Sequence, residues 1–304
     1  MATVLQPPAR VGFIGIGNMG RPMAHRLVGA GYTVQVADKN ESAVQRFVAE
    51  FGGCAASSLE ALARSSQVVI TMLPDGKTVR EVVLGDDGLI SSLAAGSIVI
   101  DMSSSEPVGT KELGQALARR GVHLVDAPVS GGVKRAVDGS LATMVGGEAA
   151  VIASVRPLLE AMAKQIFLTG PLGSGHAMKA LNNLVSAAGL WMAAEALLVG
   201  KQFGLAPETM VDVLNASTGR NNSTENKFKQ HILSRTFGSG FSLGLMAKDL
   251  RTAQGLAAAT GIPAPFTRCC TELWDQAVRE LGEAADHTAI VRVLEQKAGQ
   301  VLAK

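Results

Sequence analysis

Through its first 170 residues the chain alternates short β-branched runs with stretches of helical apolar spacing, and this rhythm restricts the fold more than any other feature. "VGFIGIG", "YTVQVAD", "QVVITML", "GSIVIDM" and "VHLVDAP" read as strands, each separated from the next by a helix-compatible segment. Strands joined through helices lie parallel with both faces covered, so their runs are apolar throughout instead of alternating. The expected fold class is α/β, a doubly wound and mostly parallel sheet. "LATMVGG" and "QIFLTG" add two further strands around the helix-like "EAAVIASVRPLLEAM".

Beyond Gly170 the pattern changes. Residues 174–203 hold no proline and keep helical spacing, so one long helix is expected there, followed by helices over 207–216, 222–235, 243–260, 265–281 and 286–302. The chain is expected to divide into an α/β domain, 1–172, and an all-α domain, 173–304, with the long helix as the bridge.

Composition narrows the partners. A formal net charge of +2 over 304 residues, without basic runs, argues against nucleic acid. No window of about 20 apolar residues is free of charge, and the opening "MATVLQPPAR" lacks the apolar core of a signal peptide, so no membrane partner and a cytoplasmic setting are expected. Cys54, Cys269 and Cys270 have neither the number nor the spacing of a disulfide framework and fit a reducing compartment. His25, His123, His176, His231 and His287 show no metal-ligand spacing, so no metal is expected.

"GIGNMG" sets Gly15, Gly17 and Gly20, with Asn18 and Met19 between them, in G-x-G-x-x-G spacing at the end of the first strand and the start of the first helix. In that context Gly15 allows the tight turn, Gly17 lets a pyrophosphate approach the backbone, and Gly20 lets helix and strand pack closely. The helix N-terminus faces the phosphate charge. Asp38 ends the second strand, where a carboxylate accepts hydrogen bonds from the adenosine ribose and repels a 2′-phosphate. The expected cofactor is therefore NAD rather than NADP, although Lys39 beside Asp38 softens the exclusion.

Three later segments, "DAPVSGG" (126–132), "GSGHAMKALNN" (173–183) and "GFSLGLMAKDL" (240–250), join "GFIGIGNMG" and "ITMLPD" (70–75) in one order. Together they resemble the β-hydroxyacid dehydrogenase family, whose best-known members are the 3-hydroxyisobutyrate dehydrogenases, over nearly the whole chain. The resemblance implies a Rossmann domain followed by a helical domain. It also implies hydride transfer between NAD and the hydroxyl-bearing carbon of a small β-hydroxy acid, so the expected partner is a small carboxylic acid. Ser130, Gly131 and Gly132 match the turn that binds the substrate carboxylate, and consecutive backbone N–H groups with one hydroxyl make a compact anion cradle.

Lys179 matches the family's catalytic lysine and Asn183 its substrate-orienting asparagine. The two stand i, i+4, on one helix face, with Gly175 a turn earlier leaving room for a ligand. Lys179 would take the hydroxyl proton in oxidation and return it in reduction, which requires that it be partly neutral; burial and the positive nicotinamide ring favour that form. Lys248 matches a lysine lying against the cofactor, and Asp249 follows it. Leu73 and Pro74 would line the nicotinamide side. Ser104 stands where relatives commonly carry a threonine that contacts the cofactor, and keeps the hydroxyl. Phe241 reads either as a cleft aromatic or as core.

Lys134 and Arg135 depart from the small pair that relatives often carry. They read either as solvated helix-start residues or as a preference for a second acidic group on the substrate. The polar stretch "STGRNNSTENK" (217–227) has no assigned role. Glu195 reads as a paired structural carboxylate. Related imine reductases usually lack the lysine at position 179, and 6-phosphogluconate dehydrogenases carry a much longer helical domain. Two readings stay open beside the leading one: reduction of a small semialdehyde such as tartronate semialdehyde, and a non-catalytic cofactor-binding module. The long apolar helix and the family together imply a homodimer or homotetramer.

Overall fold

A computed structural model describes residues 4–303. The β-branched runs become strands β1 (Arg10–Ile14), β2 (Thr33–Ala37), β4 (Val68–Thr71), β5 (Ile98–Asp101), β6 (His123–Asp126), β8 (Leu141–Gly146) and β9 (Ala163–Gly170), with two-residue strands β3 (Cys54–Ala55) and β7 (Val129–Ser130) besides. Two residues are too few to show a periodicity, which is why β3 and β7 leave no trace in the sequence pattern. Helices α1 (Gly20–Gly29), α2 (Glu41–Phe51), α3 (Leu59–Ser65), α4 (Gly76–Leu84), α5 (Pro107–Ala118), α6 (Gly132–Asp138) and α7 (Ala149–Met162) connect them.

The sheet runs β3-β2-β1-β4-β5-β6-β8-β7, with β9 also on β8. The pairs from β3 to β6 are all parallel, β6 and β7 meet β8 antiparallel, and β9 is parallel to β8. The order reverses direction between β1 and β4, and open α/β sheets bind ligands at the carboxyl ends of strands flanking such a point.

Each strand feeds two apolar layers because neighbouring side chains point to opposite faces. Phe13, Val36, Ile70 and Ile100 join Met23, Leu27, Phe47 and Leu158 on one face. Ile14, Val69 and Val99 join Leu62, Val79, Leu113 and Leu117 on the other. Burial on both faces accounts for the unbroken apolar runs.

The described residues up to Lys179 form one unit and those from Ala180 onward a second, so the division falls inside α8 (Ser174–Gln202). The second unit continues with α9 (Pro207–Ala216), α10 (Asn222–Asn226), α11 (Leu243–Thr260), α12 (Pro265–Leu281) and α13 (Val291–Ala298) around Leu190, Trp191, Phe228, Met246, Trp274 and Ile290. By length and composition α8 is, among the described residues, the one helix able to cross a membrane, and half of its most apolar stretch is buried.

Two expected helices are broken. The one over 222–235 stops after Asn226: Lys227 leaves helical geometry at φ −129°, and the chain resumes as a wide i→i+5 turn over Phe228–Ile232. That turn carries Phe228, Ile232 and Leu233 into the core together, whereas an unbroken α-helix would set Leu233 about 140° round from Phe228. The one over 286–302 opens as a 3₁₀ turn, His287–Ile290, and ends at Ala298, after which the Glu295 carboxylate draws in the Leu302 N–H at 2.6 Å.

Candidate active site

The glycine turn after β1 has a separate reason for each glycine. Gly15 sits at φ +91°, and a Cβ there would collide with Met72 O. At Gly20 a Cβ would strike Gly15 O and come 3.1 Å from the Phe13 ring, so α1 can start against the sheet only without a side chain. Gly17 is exposed and a Cβ on it would meet nothing within 4 Å, leaving its backbone open to a ligand. Asn18 is exposed and Met19 half-buried beside it. Asp38, half-buried at the end of β2, accepts from Ile16 N and from Asn40 N, both at 2.9 Å. Its carboxylate thereby anchors the turn, and each oxygen keeps a lone pair for a further donor. A bare turn at a helix N-terminus with an anchored strand-end carboxylate fits a dinucleotide.

Next to that turn, Leu73 N donates to Ser103 Oγ at 2.9 Å, tying the loop after β4 to the loop after β5. Leu73 is half-buried and Pro74 exposed. Of the three serines after β5, Ser103 and Ser105 are buried, Ser105 donating to Asp101 Oδ2 at 2.7 Å, while Ser104 is half-buried. A cavity of about 230 Å³ opens here, lined by Gly76, Lys77, Arg80, Asp101, Ser105 and Thr110 among others.

At "DAPVSGG" the half-buried Ser130 ends β7, and Gly131 and Gly132 follow exposed at φ +132° and +68°. Lys134 and Arg135 are exposed on α6, and the aliphatic part of Arg135 folds back over Gly131. Asp126, fully buried, accepts from Gly173 N at 2.7 Å and His176 N at 2.8 Å. It thus caps α8 from a strand 47 residues earlier. The first turn of α8 is held further by Thr110 Oγ1 against His176 Nδ1 at 2.8 Å. Gly175 is not room for a ligand: a Cβ there would meet Met144 O and lie 2.8 Å from Asp126 Oδ2, so the missing side chain lets α8 approach the sheet.

Lys179 is half-buried on α8. One turn on, in the second unit, Asn183 is buried and donates to Asp249 Oδ2 at 2.5 Å. Asp249, 3 % exposed on α11, also faces Lys248 Nζ at 3.0 Å through Oδ1. Sequence reasoning named all three residues but not their connection, because the pairing spans 66 positions. Phe241 resolves towards packing: it lies against the second unit's core, edge-on to His287 at 5.7 Å. Glu195 accepts from Trp191 Nε1 at 2.6 Å, a local structural role.

The 217–227 stretch docks on α8. Asn221 packs over Gly189 and caps α10, and Lys227 Nζ donates to Ser186 Oγ at 3.3 Å. Lys227 and Ser186 were missed by sequence reasoning. A lysine ending a polar loop carries no signal of burial, although Ser186 keeps helical step with Asn183.

Residues 10–170 match the NAD binding domain of 6-phosphogluconate dehydrogenase, and 173–294 match the NAD-binding domain described for NADP-dependent 3-hydroxyisobutyrate dehydrogenase. The chain is 36 % identical to 2-(hydroxymethyl)glutarate dehydrogenase of Eubacterium barkeri, over 97 % of this chain and 98 % of that one. It is 33 % identical to 2-hydroxy-3-oxopropionate reductase of Escherichia coli K12, over 97 % and 100 %. The structure of Mycobacterium tuberculosis 3-hydroxyisobutyrate dehydrogenase with L-serine superposes with a TM-score of 0.84 at 32 % identity, covering 94 % of this chain and 99 % of that one. With a glycine turn and strand-end carboxylate that fit NAD, and matches that run through both halves, the chain belongs to the β-hydroxyacid dehydrogenase family.

Proposed function

We propose that the protein oxidises a small β-hydroxy acid of the 3-hydroxyisobutyrate kind at its hydroxyl-bearing carbon, and that the same groups reduce the corresponding semialdehyde. The observation that carries this reading is the pair Lys179 and Asn183, one turn apart on α8, with the Asn183 amide held by the buried Asp249. NAD, when bound, supplies the hydride acceptor and donor. Gly15, Gly17, Asn18, Met19 and Gly20 form the turn that holds its pyrophosphate, Asp38 holds its adenosine ribose, Leu73 and Pro74 line its nicotinamide side, and Ser104 and Lys248 contact the cofactor. Ser130, Gly131 and Gly132 hold the substrate carboxylate.

Lys179 Nζ takes the hydroxyl proton during oxidation and gives it back during reduction. Asn183 orients the hydroxyl: one N–H of its Nδ2 is held by Asp249 and its Oδ1 accepts from Asn182 Nδ2 at 3.1 Å, so its second N–H donates to the substrate oxygen while Lys179 takes the proton. The reading includes a homodimer or homotetramer in the cytoplasm. Val185, Met192 and Val199 on α8 are exposed at 72, 51 and 72 %, an apolar face that a second copy would cover, and all three cysteines are free thiols.

The test is absorbance of reduced nicotinamide with purified protein, NAD or NADP, and a panel of β-hydroxy acids, with Lys179→Ala alongside. Turnover of one acid with NAD, reduced roughly 10²- to 10⁴-fold in the variant, supports the reading. No turnover in either direction, with NAD still bound, overturns it in favour of a non-catalytic module.

A further inference from the structure

Lys227 stands at the break between α10 and the wide turn, at the end of the polar stretch that the proposed reaction leaves unused. Irregular turns of that kind within helical segments are frequent at functional sites. The side chain is half-buried, yet among the described residues its one hydrogen bond is to a neutral hydroxyl, Ser186 Oγ, and it forms no ion pair. Two of its three N–H donors are unspent.

The groups around Lys227 do not neutralise it. Asp286 pulls on the ammonium electrostatically, but its oxygens are already filled by Ser239 Oγ, Gly240 N and Thr288 N, each at 2.9 Å, and by Thr288 Oγ1 at 2.5 Å. His287, within electrostatic range, is held neutral and offers no negative charge. Burial outweighs Asp286 and pushes the Lys227 ammonium down to about 8. One turn before Lys227, Ser223 Oγ is buried without a partner. A half-buried cation with spare donors and no paired charge gains charge-assisted hydrogen bonds when an anion arrives.

The point on α8 against which Lys227 docks, Ser186, says where that anion would come from. Ser186 follows Asn183 by three residues and Lys179 by seven, so the three share one stripe of the helix. Along the axis Ser186 is about 4.5 Å beyond Asn183 and about 10.5 Å beyond Lys179. We propose that Lys227 and Ser186 form a subsite for a second anionic group on the substrate, a carboxylate carried two or three carbons beyond the hydroxyl-bearing carbon. The inference rests on the reading of Lys179 and Asn183 given above. It assigns selectivity for a dicarboxylic β-hydroxy acid to the helical unit, not to the exposed Lys134 and Arg135.

The experiment compares the full-length enzyme with Lys227→Met, Lys227→Arg and Lys134→Ala, using 3-hydroxyisobutyrate and 2-(hydroxymethyl)butanedioate as substrates. The wild type is expected to show the higher kcat/KM for the diacid. Lys227→Met should lower the diacid-to-monoacid ratio of kcat/KM at least tenfold through KM, Lys227→Arg should retain part of the preference, and Lys134→Ala should leave the ratio unaltered. A ratio that stays constant in Lys227→Met, because both acids suffer equally or neither does, overturns the subsite, as does a wild type that prefers the monoacid.

Failure of the dehydrogenase reading shows itself separately, as no turnover of either acid. The subsite is then judged by calorimetric titration of the diacid into the protein with NADH. Binding lost in Lys227→Met supports it, while no binding to the wild type, or equal binding to both, overturns it.

Discussion

Asn183 Nδ2 donates to Asp249 Oδ2 at 2.5 Å, and the other oxygen of the same carboxylate faces Lys248 Nζ at 3.0 Å. One buried carboxylate on α11 therefore fixes both the asparagine proposed to orient the substrate hydroxyl and the lysine proposed to contact the cofactor. A charge so enclosed is stable because both oxygens are engaged, and removing it leaves its partners unsatisfied. Asp249→Ala is expected to lower kcat by on the order of 10²-fold, the usual cost of a misplaced reacting group. Steady-state kinetics with NADH binding measured in parallel would check this. Unaltered kcat would show that Asn183 needs no such support.

Asp126 holds the first turn of α8 through the N–H groups of Gly173 and His176. Asp126→Asn replaces one accepting oxygen with an NH₂ that faces a backbone donor. Hydrogen bonds to a buried charge are worth roughly 1.5–3 kcal/mol each, so a loss of about 3 kcal/mol in unfolding free energy is expected. Urea denaturation of the variant beside the wild type gives the value. A loss below 1 kcal/mol would mean that the helix start is held mainly by packing.

The glycine turn predicts two different failures. Gly20→Ala forces a Cβ against Gly15 O, so it should destabilise the fold by about 1–3 kcal/mol even without cofactor. Gly17→Ala meets open space and should leave the Tm without cofactor unchanged, yet weaken NAD by about tenfold or more, because the added methyl stands where the pyrophosphate approaches. Thermal melts with and without NAD separate the two cases. Equal losses of unliganded stability would contradict the geometry.

Acid should loosen the second unit through His287. Burial first, then the nearby Lys227, push this imidazole from 6.5 down to about 4, against the opposing pull of Asp286. Between those values the unfolded chain takes up a proton that the folded one refuses, so stability is full above pH 6.5 and falls as pH drops towards 4. The whole effect is about 3 kcal/mol. Asp286 acts in the same direction at lower pH. Burial raises its pKa, but donors from Thr288, Ser239 and Gly240 outweigh that and hold it below its ordinary 3.8. Urea midpoints at pH 7 and 4.5 for the wild type and His287→Asn test this, with the variant expected to lose most of the difference.

Glu295 closes the end of the chain, engaging Arg235 through both oxygens, with a bond of 3.0 Å to Nη2, and accepting from Leu302 N. Glu295→Ala strands a partly buried guanidinium and an amide. It should cost about 2–3 kcal/mol, less than a fully buried pair because Arg235 is partly hydrated. Differential scanning calorimetry of the variant provides the check, and a Tm within one degree of wild type would assign no stability to this pair.

What the sequence determined by itself were the features set by local spacing. The apolar runs marked the seven longer strands; β4 and β5 are buried throughout and so continuously apolar, whereas β2 and β9 keep exposed positions. The glycine triplet marked its own turn, and Lys179 and Asn183 showed their common helix face, because a turn and a 3.6-residue period are both contained within a few neighbours. Only the tertiary structure decided what joins distant positions. It set Asp126 beneath α8, Asp249 beside Asn183, and Lys227 against Ser186, across 47, 66 and 41 residues of chain. It also broke the expected helix at Lys227, where core packing of Phe228, Ile232 and Leu233 overrode the helical period. A carboxylate or an ammonium has the same signature in sequence whether it is solvated or enclosed. Its surroundings come from elements folded in from elsewhere, and those surroundings decide whether it caps a helix, holds an amide or waits for an anion.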